Sequence, residues 1–156
     1  MLILKGPHGS EFGLMIRAYE IPPVRKDNWL IVGLYVSTPY GYWKVFDPAL
    51  QTFEIDSIIN WFQALAADEE TETEKKFAKP HLRFIINGKS GNYINLRIYF
   101  EYSVRPSWAL YDGEMNDLWV DLQLTQADFR KAAEDLRSEL SKFPIRGGIL
   151  DEQPKE

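Results

Sequence analysis

The sequence predicts an α+β domain: an antiparallel β-sheet of about six to seven strands with two amphipathic helices packed on one face. Three observations lead there. Apolar residues alternate with a period near two along several short stretches, and twice that period gives way to helical spacing. The strands are joined by short turns, which suit antiparallel neighbours and are too short for parallel crossovers.

Phe12, Leu14, Ile16 and Ala18 alternate with Gly13, Met15, Arg17 and Tyr19, which reads as a strand, with residues 2–5 as a short strand before it. Pro22-Pro23 breaks any element. The run from Trp29 to Val36 is apolar on both faces and predicts a central strand covered on both sides. Thr38-Pro39-Tyr40-Gly41 has turn chemistry and leads into Tyr42–Phe46 as a hairpin, which Asp47-Pro48 is expected to end. Ile55, Ile58, Ile59, Phe62, Leu65 and Ala66 then recur at helical spacing and predict a helix over 54–67. Helix-dipole logic prefers bases after a helix, yet acids follow, so 68–80 reads as a solvated loop closed by Pro80.

Leu82–Asn87 and Tyr93–Tyr102 read as the next two strands, joined by the turn sequence Asn87–Asn92. A long segment, 103–117, separates them from the alternating strand Leu118–Leu124. Thr125 offers an N-cap hydroxyl, with Asp128 as its capping-box partner. Phe129, Ala132, Ala133, Leu136, Leu140 and Phe143 form the buried stripe of the second helix, which Pro144 stops. Residues 1–144 form a single domain and 145–156 a loose tail. A faint twofold echo is present, since Leu50-Gln-Thr52 and Leu124-Thr125 each carry a strand into a helix.

A chain of 156 residues with 45% hydrophobic content can bury a core of its own. It has no cysteine, which excludes disulfides, thiolate metal sites and cysteine nucleophiles. With no basic leader and no apolar run of membrane-spanning length, the expected location is cytoplasmic, away from any membrane. The net charge of −5 is local: Asp68, Glu69, Glu70, Glu72 and Glu74 supply all of it, and the remaining acids balance the 18 bases. A neutral domain with an acidic strip lacks the basic face that nucleic acid requires, but suits a basic protein.

No catalytic set, metal site or cofactor is expected. The histidines, His8 and His81, are isolated, and read as a turn residue and a residue before a strand. There is no Gly-x-Ser-x-Gly elbow and no Gly-rich strand-to-helix loop. Asp47, Asp117 and Asp121 could converge only in space, without supporting spacing. The candidate partner-binding residues lie in two places. The 103–117 segment carries Arg105, Trp108 and Tyr111, types favoured at interface hot spots, with Asp112, Glu114 and Asp117 close behind. It is either a contact surface or a loop folded over a sheet edge with Trp108 plugging the core. The hairpin tip with Tyr40 and Trp43 presents the same choice. On the strand faces, Arg97, Tyr99 and Glu101 are expected to neighbour Trp119, Asp121 and Gln123, as a docking platform or a plain solvated face.

Several stretches in their joint order resemble the WapI-type immunity family of small bacterial proteins. They are Asn28-Trp29-Leu30-Ile31-Val32, Gly41-Tyr42-Trp43 with Asp47-Pro48-Ala49-Leu50, and the helix from Ile58 through Trp61 to Leu65. Leu96–Glu101, Arg105-Pro106-Ser107-Trp108-Ala109, Ala132–Leu136 and Phe143-Pro144 complete the set. The resemblance covers most of the chain. It implies a cytoplasmic antitoxin that binds the toxin domain of a contact-dependent, WapA-like system without catalysis, and the acidic strip suits a toxin domain that is basic. The contrasting reading is a ligand-binding or enzymatic domain with a pocket between sheet and helices. A deep pocket with convergent polar groups favours the latter, and a toxin gene immediately upstream favours the former.

Overall fold

The computed structural model describes residues 1–21, 28–110 and 117–146, apart from the Leu110 side chain. Alternation of apolar side chains produces β1 (Leu2–Lys5), β2 (Glu11–Tyr19), β3 (Trp29–Thr38) and β4 (Gly41–Gln51) as one antiparallel sheet in chain order. The helix α1 (Thr52–Ala66) follows without a linker. The second half repeats this plan with β5 (Glu74–Lys75), β6 (Leu82–Ser90), β7 (Tyr93–Phe100) and β8 (Trp119–Leu124), then α3 (Gln126–Leu140). The one-turn helix α2 (Ser107–Leu110) lies between β7 and β8. The faint echo in the sequence is thus a repeated meander-plus-helix unit.

The α+β class and antiparallel pairing hold, but the described residues form eight strands in two sheets of four. Each sheet has one apolar face, and burial of these faces against one another requires two layers. Phe12 of the first sheet meets Phe84 and Phe100 of the second, each at 6.1 Å between ring centroids. The two helices pack together through Phe62 and Phe129, 5.3 Å apart, and Trp61 of α1 reaches Phe84. At the joint between β1 and β8, a Cβ on Gly6 would overlap the Asp121 carbonyl oxygen and lie 2.9 Å from Leu122 Cα. Glycine permits this approach.

Several expectations need correction. Asp47-Pro48 does not end its strand: β4 runs on to Gln51, because a register shift opposite Leu30 and Val32 accommodates proline on an edge strand. The strand β3 is interior to its sheet, but only one face is core, and Ile31 and Tyr35 are half-exposed on the other. Residues 68–80 are not wholly a solvated loop. Glu74 and Lys75 pair with Ile85 and Phe84, Trp61 Nε1 donates to the Glu72 carbonyl at 2.8 Å, and Ala78 N–H donates to the buried Glu54 carboxylate at 2.7 Å. Backbone hydrogen-bond demand and a buried acid hold this segment down.

Helix starts were more legible. Thr125 Oγ1 accepts from Asp128 N at 3.1 Å and Asp128 accepts from Thr125 N at 2.8 Å, closing the predicted capping box. In α1 the Gln51 N–H donates to Glu54 Oε1 at 2.9 Å. Beyond α3, Arg146 N–H donates to Asn28 Oδ1 at 2.7 Å and its guanidinium donates to the Ile21 carbonyl while stacking on Tyr19. Arg146, within the expected tail, is therefore anchored, and 147–156 lie outside the described residues.

Candidate partner-binding surface

The two candidate regions come together in space. The β3–β4 turn is closed by Thr38, whose Oγ1 accepts from Tyr40 N at 3.0 Å and donates to the Gly41 carbonyl at 3.2 Å. The ring of Trp108, on α2, lies over that turn, and a Cβ on Gly41 would come within 3.2 Å of its Cζ2. Trp108 also meets Trp43 edge to face at 5.9 Å.

The eight predicted residues divide by environment. Trp43 is core: it is buried, donates Nε1–H to the Val104 carbonyl at 3.0 Å and packs edge to face on Phe100. Arg105 donates Nε–H to the Phe100 carbonyl at 2.9 Å and lies 3.4 Å from Glu101, so it braces the turn after β7. Tyr40, at 79% exposure, and Trp108, at 53%, present aromatic surface to solvent. Trp108 therefore neither plugs the core nor stands clear of it; one edge is anchored and the rest is free. Asp117 is exposed. Tyr111, Asp112 and Glu114 lie outside the described residues.

Sequence reasoning missed a polar cluster beside this surface. The buried carboxylate of Asp47 accepts from Ser103 Oγ at 2.6 Å and lies 3.2 Å from His81 Nδ1. Tyr102, in the left-handed region at φ 55°, sets its exposed ring 5.6 Å from His81. A central carboxylate holding a hydroxyl and an imidazole apart is not a nucleophile–base arrangement, which needs the hydroxyl on the imidazole. It ties β4 to the start of β6 and the end of β7. Asp121 is engaged elsewhere: Arg97 donates Nε–H and Nη2–H to its two oxygens at 2.7 and 3.2 Å, which raises the guanidinium pKa further. Of the two groups expected to be neighbours, Arg97 stands opposite Asp121 and Tyr99 opposite Trp119, whereas Gln123 stands opposite Asn95 and Glu101 lies beyond β7.

A groove of about 580 Å³ opens between β1, β8 and α3. Three of its charged groups serve the helix itself, since Asp128 caps α3 and Lys131 pairs with Asp135 at 3.0 Å, and Lys5 of β1 lines its rim. Among the described residues no cluster of His, Asp and Glu is arranged to hold a metal ion. No helix among them is long and apolar enough to cross a membrane.

These features define a two-sheet α+β protein that presents exposed aromatics on a braced turn. The immunity protein WapI-like family matches residues 2–144, nearly the whole chain, and the chain belongs to that family. The comparison with curated proteins finds no match. Among solved structures, that of the plant transcriptional regulator PBF-2 aligns with a TM-score of 0.47 and 14% identity, covering 98% of this chain and 92% of that one. A likeness at that level carries no argument about function.

Proposed function

We propose that this protein is a non-catalytic immunity protein that binds and neutralises the toxin domain of a contact-dependent system inside the producing cell. The observation that carries the reading is family membership across the whole fold. The surface around the β3–β4 turn supports its finer form. Trp108 and Tyr40 are the anchors that meet the toxin, with Trp43 and Arg105 holding the platform beneath; the exposed Asp117 is assigned to the same contact by its place in the sequence. Tyr111, Asp112 and Glu114 belong to the same proposed contact by their place in the sequence. Asp68, Glu69 and Glu70 are exposed and would steer a basic toxin toward the chain without contributing much to folding.

The test is titration against the toxin domain encoded by the neighbouring gene, with growth protection measured in parallel. Trp108→Ala is expected to weaken binding by roughly 30-fold to 1,000-fold. Because half the ring already faces water, the stability cost should be about 1–2 kcal/mol, below that of a core aromatic. A large destabilisation with unchanged affinity per folded molecule would retire the Trp108 surface. Failure of the unaltered chain to bind or protect would retire the toxin-binding reading.

A further inference from the structure

The outer face of the first sheet is a separate surface, and among the described residues its cations are not neutralised. Side chains that alternate away from the core place Ile3 and Lys5 of β1, Met15 and Arg17 of β2, Tyr35 of β3, and Tyr42, Lys44 and Phe46 of β4 on it. Gly13 and Gly33 occupy the middle of the two inner strands. A Cβ on Gly33 would fall 2.8 Å from Phe46 Cε1, so the glycine lets the Phe46 ring lie down on the sheet. Arg17 covers that ring at 4.8 Å, Lys44 stands 6.0 Å from the Tyr35 ring, and the two rings meet edge to face.

Charge decides what this face fits. Lys5, Arg17 and Lys44 are exposed, and no carboxylate among the described residues lies in ion-pair range of them. Among the described residues, the acid on this face is Glu11, which is opposite Lys5 across the strands without closing on it. On the second sheet the corresponding guanidinium groups are paired: Arg83 with Glu74 at 3.7 Å and Arg97 with Asp121. In a chain of net charge −5, three unpaired cations on one sheet face are a local reversal of sign.

We propose that the outer face of the first sheet is a docking surface for an acidic protein segment, with Lys5, Arg17 and Lys44 opposing its carboxylates and Ile3, Tyr42 and Phe46 supplying apolar contact. A nucleic-acid strand fits less well. The Phe46 and Tyr35 rings are occupied by cations and by each other rather than open for base stacking, and the chain as a whole repels phosphates. The proposal stands independently of toxin binding, since it uses neither the Trp108 surface nor the acidic loop.

The test is an NMR titration of the full chain, labelled with nitrogen-15, against a 20-residue poly-glutamate peptide at low and physiological salt. A 20-nucleotide oligothymidine and the chain alone at increasing concentration serve as comparisons. The expected result is a saturable shift of the Gly13, Gly33 and Lys44 amides, with those of the second sheet unmoved. Replacing Lys5→Gln, Arg17→Gln and Lys44→Gln together should weaken peptide binding about tenfold, and salt should weaken it in the unaltered chain. No binding, or shifts spread over all surface lysines, would overturn the proposal. So would preferential oligothymidine binding at this face, or shifts there from self-association, which would make the occupant nucleic acid or a second copy.

Discussion

The outer faces of the two sheets are built alike and finished differently. Each lays cations over aromatic rings: Arg17 over Phe46 and Lys44 over Tyr35 on the first, Arg83 over Tyr99 and Arg97 over Trp119 on the second. On the second sheet Asp121 completes the set by accepting from Arg97 and from Trp119 Nε1, and Glu74 attends Arg83. Among the described residues no acid on the first sheet closes on its cations in this way, Glu11 standing opposite Lys5 without an ion pair. A cation over a ring is cheap decoration wherever strands place Arg or Lys beside an aromatic, worth about 0.5–1 kcal/mol when exposed. The neighbouring carboxylate separates a face closed on itself from one left open to a partner.

The comparison depends on the sheets being held as one body, and Gly6 is where that can be broken. Gly6→Ala would drive a methyl into the Asp121 carbonyl, where backbone on both sides leaves little room to yield. A cost of about 3 kcal/mol is expected, or a fall in melting temperature of roughly 6–12 °C for a chain of this size. Gly9→Ala is the control. It sits at φ 75° with open space around it, and should cost about 1 kcal/mol through its backbone alone. Equal melting temperatures for the two variants would show that the sheets do not meet tightly at Gly6.

The sequence announced local structure better than assembly. Period-two alternation located the long strands, and Thr125 with Asp128 marked the start of α3, because both signals arise between residues close in the chain. The division into two sheets was not legible, since it depends on which apolar faces bury each other. Pro48 read as a strand end because its tolerance depends on a bulge and an edge position set by β3. Glu54 stands at the start of the predicted helix, where nothing in the sequence marks its environment. It is buried because Ala78, 24 residues on, donates to it. At the candidate surface, residue types left contact and core equally open: Trp108 and Tyr40 are exposed, whereas Trp43 and Arg105, chosen on the same grounds, face inward. The Asp47–Ser103–His81 cluster had no signal, because its members are 34 and 56 residues from Asp47 and Tyr102 adopts a backbone conformation aromatic residues seldom take.

On the second face, removing Asp121 should be felt in folding. Asp121→Ala leaves Arg97 and the Trp119 N–H without their acceptor, at an expected cost of about 1 kcal/mol once its partial exposure is allowed for. A double-mutant cycle with Arg97→Ala, read by urea unfolding, should recover most of that as coupling between the two residues. Additive costs would mean that the pair is ornamental and the second face no more closed than the first.

The smallest effects are expected on the first face, and their smallness is informative. Arg17→Gln and Lys44→Gln each remove a charge that no carboxylate among the described residues pairs, and glutamine keeps part of the stem that covers the ring. Each should shift the urea midpoint by no more than about 0.5 kcal/mol in stability, with the slope unchanged. A face that gives up its charges without loss of folding is one whose charges are not maintained by the fold, which is what a docking surface requires. If Arg17→Gln instead costs as much as Asp121→Ala, the cation–aromatic stack is structural on both sheets. The distinction between a closed face and an open one would then disappear.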